Sequence, residues 1–422
     1  MRKMYKQFIF TALIVFSSIP FLSAQEALTL ESAIQIALNN NYDIKVAKND
    51  AEISKNNATK GNAGLLPNLS ASGGVNYSEH ASDELSSSAG LNLSYTLFDG
   101  FGGKYNYQIL NLQKEQGDLL ARFNIENTIS NVISGFYELN KAYDNFQTSI
   151  KNLEISKERL SRNQSKYEFG NISKLEVLNS KVDFNSDSTA FLQAQQNYDA
   201  ATRKVNVLLG RKAETTFQLI PDNADFQVFS LIDLKNETLE KNAEYLIAAN
   251  QLQQSETKVK ETKSGQLPTL SLNSSYSYYE NKIAGSNSNT QLTGGLTLSF
   301  NIFDGKRKKT QIANAKIDQL NSDLEYQNTM LVLEKDLVDA YADYQYNLKI
   351  LALQEDALEA AQLNFDQTRE YYQLGQVTST TFREAQQNLI EAINNKSAAR
   401  YDAKLSEVSI KKISGTLLIT GL

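Results

Sequence analysis

One pattern occurs twice in this chain, and it limits what the chain can become. In LNLSYTLFDG, residues 91–100, the side chains of Leu91, Leu93, Tyr95 and Leu97 alternate with those of Asn92, Ser94 and Thr96. A period of two residues is that of a strand with one apolar and one wet face. In LTLSFNIFDG, 205 residues later, Leu296, Leu298, Phe300 and Ile302 alternate with Thr297, Ser299 and Asn301. Both copies end in Phe-Asp-Gly, at Phe98-Asp99-Gly100 and Phe303-Asp304-Gly305, and a very long helical pattern follows each. The chain therefore reads as two copies of one unit in a common register.

The N-terminus reads as a secretory signal over residues 1–24. Arg2, Lys3 and Lys6 form its charged end, Phe8 to Phe21 its apolar stretch, and Ala24 supplies a small residue before Gln25. Beyond it no apolar run approaches a membrane-spanning helix, so a mature chain that enters a bilayer must do so as a closed barrel. Without the three signal cations the balance is 39 basic to 48 acidic residues, which argues against a nucleic-acid partner. There is no Cys, hence no disulfide framework and no thiolate nucleophile. Three of the four Pro, at 67, 221 and 268, sit between helical patterns and leave long helices unbroken.

Repeat 1 occupies residues 25–209. Thr29 is placed to cap a helix with Ala33, Leu38, Ile44 and Ala47 on its apolar side, running with some interruption to about Lys60, before Leu66-Pro67. Strands follow at about 68–98, around a polar loop from Glu79 to Ser88 that contains the one His, His80. From Phe101 to about Tyr167 the pattern is helical. Its second half carries a heptad seam of Ile129, Val132, Phe136, Leu139, Tyr143, Phe146, Ile150 and Leu153, continued by Leu160 and Tyr167. About 66 residues at ~1.5 Å each make a rod of roughly 100 Å. A turn near Gly170 sends a further helix back to about Leu209.

A connector at 210–231 contains Pro221-Asp222-Asn223. Repeat 2, residues 232–422, then copies the order. A helix runs from about Leu234 to Ser264 and strands follow at about 269–303, with a hairpin loop near 280–290. The second rod carries Leu337, Tyr341, Tyr344, Leu348, Leu351, Leu358, Phe365 and Tyr372, and turns near Gly375. A final helix runs to about Ile413.

Four strands of about ten residues have the length that crosses a bilayer at a tilt. Their Ser, Thr and Asn faces suit a water-filled lumen, and the faces carrying Leu91, Leu93, Tyr95, Leu97, Leu296, Leu298, Phe300 and Ile302 suit lipid. Four strands cannot close a barrel with a lumen, since about 8 is the smallest known count. The chain must therefore oligomerise, and three copies would give 12 strands and an opening.

These residues resemble the TolC-like outer-membrane factor family over the whole mature chain. The resemblance is carried by the Leu28-Thr29-Leu30, Ala33 and Ala37-Leu38 opening, by Leu66-Pro67 and Leu267-Pro268, by the two Phe-Asp-Gly exits, and by Gly170 and Gly375. It implies an α+β membrane protein: two helix-strand-strand-helix-helix repeats, in a homotrimer that forms a 12-stranded β-barrel on a long α-helical barrel. It implies an exit duct in the outer membrane, extending into the periplasm, for a tripartite efflux pump or a type I secretion system. The implied partners are outer-membrane lipid, an inner-membrane transporter, and a periplasmic adaptor docking at the tips, here Gly170, Asn171, Gly375 and Gln376. It implies a gate near the second tip, where the family's two acidic positions fall on Thr381 and Glu384. One acid is thus missing, and Glu176 is the first repeat's counterpart of Thr381.

The competing reading is a coiled-coil surface protein or adhesin without a channel, though a stalk has no need of two amphipathic hairpins between its helices. Phosphate loops, dinucleotide fingerprints and His-based triads are absent, so no catalytic residue, cofactor or metal ligand is expected. One His without any Cys cannot build a metal site.

Overall fold

The computed structural model describes residues 27–79, 84–281 and 287–418. The expected signal segment and His80 lie outside them. The first repeat consists of Ala27–Leu28 (β1), Leu30–Asn40 (α1), Tyr42–Asn57 (α2), Asn68–Ser78 (β2), Glu84–Phe98 (β3), Gly102–Glu168 (α3) and Lys174–Leu208 (α4). The connector holds Gln218–Leu219 (β4). The second repeat consists of Leu231–Lys241 (α5), Ala243–Ser264 (α6), Thr269–Asn281 (β5), Asn287–Ser299 (β6), Arg307–Leu374 (α7) and Ser379–Ile413 (α8).

In both repeats the leading helix is split by an Asn. The Asn41 Oδ1 accepts from the N–H groups of Asp43 (2.8 Å) and Ile44 (3.2 Å), and caps α2. The Asn242 Oδ1 accepts from the Tyr245 N–H at 2.9 Å and caps α6. A capping side chain that takes the first free N–H groups makes a restart inexpensive at each point.

The chain divides into two units, of which the larger joins residues 37–134 with 226–418. It holds a four-stranded antiparallel sheet in the order β2-β3-β5-β6. The register keeps faces together: Leu91 lies opposite Ala71 and Tyr276, Tyr95 opposite Leu272, and Leu270 opposite Leu298. Asn92 lies opposite Ser70 and Ser275 on the polar face.

Three strand details differ from the sequence reading. The Ser-rich stretches expected as loops are partly paired, with β3 beginning at Glu84 and β6 at Asn287. Nearer the middle of the β5–β6 pair, hydroxyls also meet across strands, as Ser275 Oγ does with Thr293 Oγ1 at 2.7 Å. The ladder between β3 and β5 skips Leu97, because Thr96 pairs with Ser271 and Phe98 with Leu270. Leu97 is the extra residue of a bulge, so Phe98 continues the apolar row in its place. Finally, β6 ends at Ser299, opposite Thr269, which leaves Phe300 and Ile302 beyond the ladder. Pro268 precedes Thr269 and has no N–H to extend the pairing.

Packing in this unit centres on Leu234, Leu337, Ala340, Tyr344 and Ile410, with Phe226 and Phe229 of the connector laid against them. The Tyr344 hydroxyl donates to the Gln227 carbonyl at 2.6 Å, and its ring meets that of Phe229 edge-on at 5.5 Å. Lys404 lies 4.6 Å from the Phe226 ring centroid, and buried Glu407 accepts from Lys404 (3.4 Å) and Lys411 (2.8 Å). Toward the Gly375 turn the α7–α8 pair closes on aromatics: Tyr372 stacks on Phe382 at 4.7 Å, and Phe365 lies 5.6 Å from the same ring.

The smaller unit joins residues 27–36 with 135–225. Residues 135–168 of α3 pack along α4, and β1 pairs in parallel with β4. Phe136, Leu139, Val205 and Leu209 are buried at one end. Phe146 stacks on Tyr198 at 5.7 Å further along. An added Cβ on Gly135 would come within 2.5 Å of Leu208 Cδ1, so the Leu208 side chain packs into the space that Gly135 leaves open.

Nearer the Gly170 turn the apolar seam does not continue as its spacing suggests. Tyr167 is exposed, and the buried positions are Ser156, Arg159 and Asn163. Arg159 pairs with Asp183, and the Ser156 hydroxyl donates to Asp187. The same 3-4 spacing is kept with polar residues, so the α3–α4 tip is held by charge where the α7–α8 tip is held by rings.

Candidate functional site

The Phe-Asp-Gly exits turn strands into rods. Asp304 lies between the end of β6 and the start of α7, and its Oδ2 accepts the Lys308 N–H at 2.9 Å, closing a free donor of α7. The residue after each exit Gly is left-handed, Phe101 at φ 71° and Lys306 at φ 70°.

At the far end of its own rod, each tip turn has the same local geometry. Gly170 has φ 74° and Gly375 φ 77°. The Asn171 N–H donates to Lys166 O at 2.8 Å, and the Gln376 N–H to Tyr371 O at 2.9 Å. These six-to-one bonds close each helix as Schellman caps. A Cβ on either Gly would meet nothing within 4 Å. The backbone there is open to whatever approaches, and Asn171 and Gln376 flank it, exposed. Around the first turn Phe169 is 81% exposed and Leu175 63%, an apolar surface that the described residues leave uncovered.

Thr381 and Glu384 are three residues apart on α8, both exposed. Thr378 caps α8, its Oγ1 accepting the Thr381 N–H at 3.2 Å and lying 2.9 Å from Thr381 Oγ1. The Thr381 hydroxyl is thus engaged in the cap. Glu384 faces outward, while Phe382, Ala385 and Gln386 beside it are buried. Glu176, in the other unit, is half-buried at the third position of α4, and its N–H donates to Ser173 O at 3.2 Å.

The apolar strand row is exposed in the single chain, with Leu69, Leu292, Leu296 and Leu298 each at least 65% accessible. A contiguous apolar face of this kind needs lipid or protein against it. Sequence reasoning missed the charged pairing of Arg159 with Asp183. The available signal was position, because Arg159 lies three residues after Ser156 and four before Asn163, in step with the seam. Among the described residues no His, Asp and Glu cluster could hold a metal, and no helix is long and apolar enough to cross a membrane.

An amphipathic sheet with its apolar row exposed, whose strands run on into long helices, is the architecture of a barrel-forming outer-membrane channel protein. The chain belongs to the outer membrane efflux protein family, whose model matches residues 33–211 and 234–416. It is 20% identical over 418 residues to outer membrane protein TolC of Escherichia coli, covering 94% of this chain and 84% of that one. Among solved structures it resembles that of CusC, with a TM-score of 0.78, 18% identity and 92% of both chains covered. It also resembles the Campylobacter jejuni CmeC outer membrane channel, with a TM-score of 0.78 and 19% identity over 92% of this chain and 86% of that one. The fold is TolC-like, the protein is an outer-membrane exit duct that extends into the periplasm, and the adhesin alternative finds no support.

Proposed function

We propose that three copies close one 12-stranded barrel and that the duct is passive, driven by an inner-membrane transporter through a periplasmic adaptor. The observation that carries this reading is the open-edged sheet. Four alternating strands leave β2 and β6 running in opposite directions at the two edges. The β6 of one copy can therefore meet the β2 of the next in the same antiparallel manner, and the ring closes without a parallel junction. Unpaired edges in a bilayer would each cost several kcal/mol per group, which drives closure. Within the ring, Leu91, Leu93, Tyr95, Leu296 and Leu298 face lipid.

The tips at Gly170–Asn171 and Gly375–Gln376 receive the adaptor, their open backbone and the exposed Phe169 and Leu175 being the surface offered. The Glu384 carboxylates, one from each copy, constrict the tunnel and favour cations. Thr381 and Glu176 take helix-start roles and contribute less to the gate. Planar-bilayer recording tests this: wild type should conduct with cation preference, and Glu384→Gln should conduct with that preference reduced. A monomer by native mass spectrometry, or a channel indifferent to Glu384→Gln, would oppose the respective claim.

A further inference from the structure

The two strand-to-rod exits share a backbone but not a chemistry. In the first repeat the left-handed position is Phe101, whose ring meets Phe98 edge-on at 5.4 Å, followed by Gly102 and Gly103. In the second it is Lys306, followed by Arg307, Lys308 and Lys309. A left-handed backbone is free for Gly and strained for other residues, so a side chain kept there at both exits has a use that outweighs the strain.

The second exit also presents two nearly bare apolar side chains, Ile302 (89% exposed) and Phe303 (81%), a few residues before the cations. Lys306, Arg307 and Lys309 are exposed, and Lys308 is half-buried. Among the described residues none of the four forms an ion pair. The nearby carboxylates are otherwise engaged, Asp304 with the Lys308 backbone N–H and Glu261 with Lys258 at 2.9 Å. Four adjacent cations without carboxylate partners, next to apolar groups at the end of a membrane strand, match a bilayer interface. Apolar side chains enter the hydrocarbon there, and cations reach the headgroup phosphates.

We propose that Lys306, Arg307 and Lys309, with Ile302 and Phe303, form a binding surface for anionic phospholipid headgroups at the periplasmic face of the outer membrane. The leaflet follows from position, since the cluster sits where strand becomes rod and the rods belong to the periplasm. The lipid fixes the depth of the barrel: Phe98 and Phe101 anchor one exit by their rings, and the basic run anchors the other by charge. This rests on the strands lying in the membrane.

The test uses the full chain in nanodiscs of neutral phosphatidylcholine with increasing phosphatidylglycerol, and native mass spectrometry counts the lipids retained. Wild type should retain phosphatidylglycerol preferentially, by about fivefold per cation near an anionic surface, and the preference should fall with salt. The triple variant Lys306→Gln, Arg307→Gln, Lys309→Gln should insert equally and lose at least about tenfold of the preference. The Lys306→Arg, Lys309→Arg variant should keep it. A triple variant with wild-type preference overturns the proposal. So does detergent-solubilised protein that binds free glycerol phosphate as well as the lipid, since the site would then be a phosphate pocket. Wild type that fails to enter nanodiscs overturns the membrane reading itself, a result distinct from insertion without preference.

Discussion

Replacing Gly375 separates a turn that only reverses the chain from a turn that receives a partner. At φ 77° a residue with a Cβ is disfavoured, by ~1–2 kcal/mol. No steric cost adds to this, since a Cβ there meets nothing within 4 Å. The hairpin behind the turn joins helices of 68 and 35 residues, locked near the tip by the Phe365, Tyr372 and Phe382 rings. A loss of 1–2 kcal/mol at its end frays the last turn and leaves the hairpin standing. Gly375→Val should therefore reach the outer membrane as an assembled oligomer and fail in export. Gly375→Asn isolates bulk from strain, because Asn tolerates the left-handed region far better than Val. If bulk is what blocks docking, both variants lose export, although the Asn variant is destabilised less. The chain has no Cys, so single cysteines at Asn171 and Gln376 give unique cross-linking positions. Both variants should show weakened cross-links to the adaptor. Full cross-linking in a Gly375→Val protein that no longer exports would refute docking at this turn.

Leu93→Arg or Leu298→Arg should hinder insertion, since mid-bilayer Arg on a barrel exterior costs ~2–4 kcal/mol, whereas Ser94→Arg should assemble and alter conductance. Equal recovery of both sets from outer-membrane fractions would contradict the face assignment. Asp183→Ala removes a carboxylate from buried Arg159 and should destabilise the α3–α4 hairpin by roughly 3 kcal/mol, read by chemical denaturation. Adding Arg159→Met should restore most of that stability. Burial, with the Glu407 charge nearby, pushes the Tyr344 hydroxyl from its usual 10 up to about 12. The folded state thus holds this proton more tightly. Its contribution is complete below pH 10 and is lost as pH rises through about 12, so proteolysis of the connector at Phe226–Phe229 should increase over that range. Tyr344→Phe, which has no hydroxyl to ionise, should flatten the rise.

The strands and rods were legible because their periods answer to local rules. Leu91, Leu93 and Tyr95 alternate whatever lies beside them, and the seam from Ile129 to Leu139 repeats every seven residues before any partner is known. Leu97 was not legible as a bulge, since a bulge is a relation between two strands and depends on where Leu270 falls in β5. Phe300 and Ile302 read as strand for the same reason, although the partner begins only after Pro268. The polar tip was hidden because Arg159 and Asn163 look like gaps in an apolar seam, and only the facing Asp183 and Asp187 make them a core. The proposed role of Glu384 is not written in one chain, because the proposed gate takes a carboxylate from each of several copies and one copy shows only an exposed side chain.

The strand order has a genetic consequence. In the proposed ring each copy offers β2 to one neighbour and β6 to the other, so the junctions would be head-to-tail and not self-matching, and the ring would close only when every member supplies both edges. A variant crippled at a single edge, for example by Pro within β6, would still join a normal neighbour through its intact side and stall that ring. In a cell making equal amounts of both forms, only about one ring in eight would be free of the variant if three copies mix at random. Lesions in β2 or β6 should therefore be dominant. Lesions that unfold the chain before it can join should be recessive.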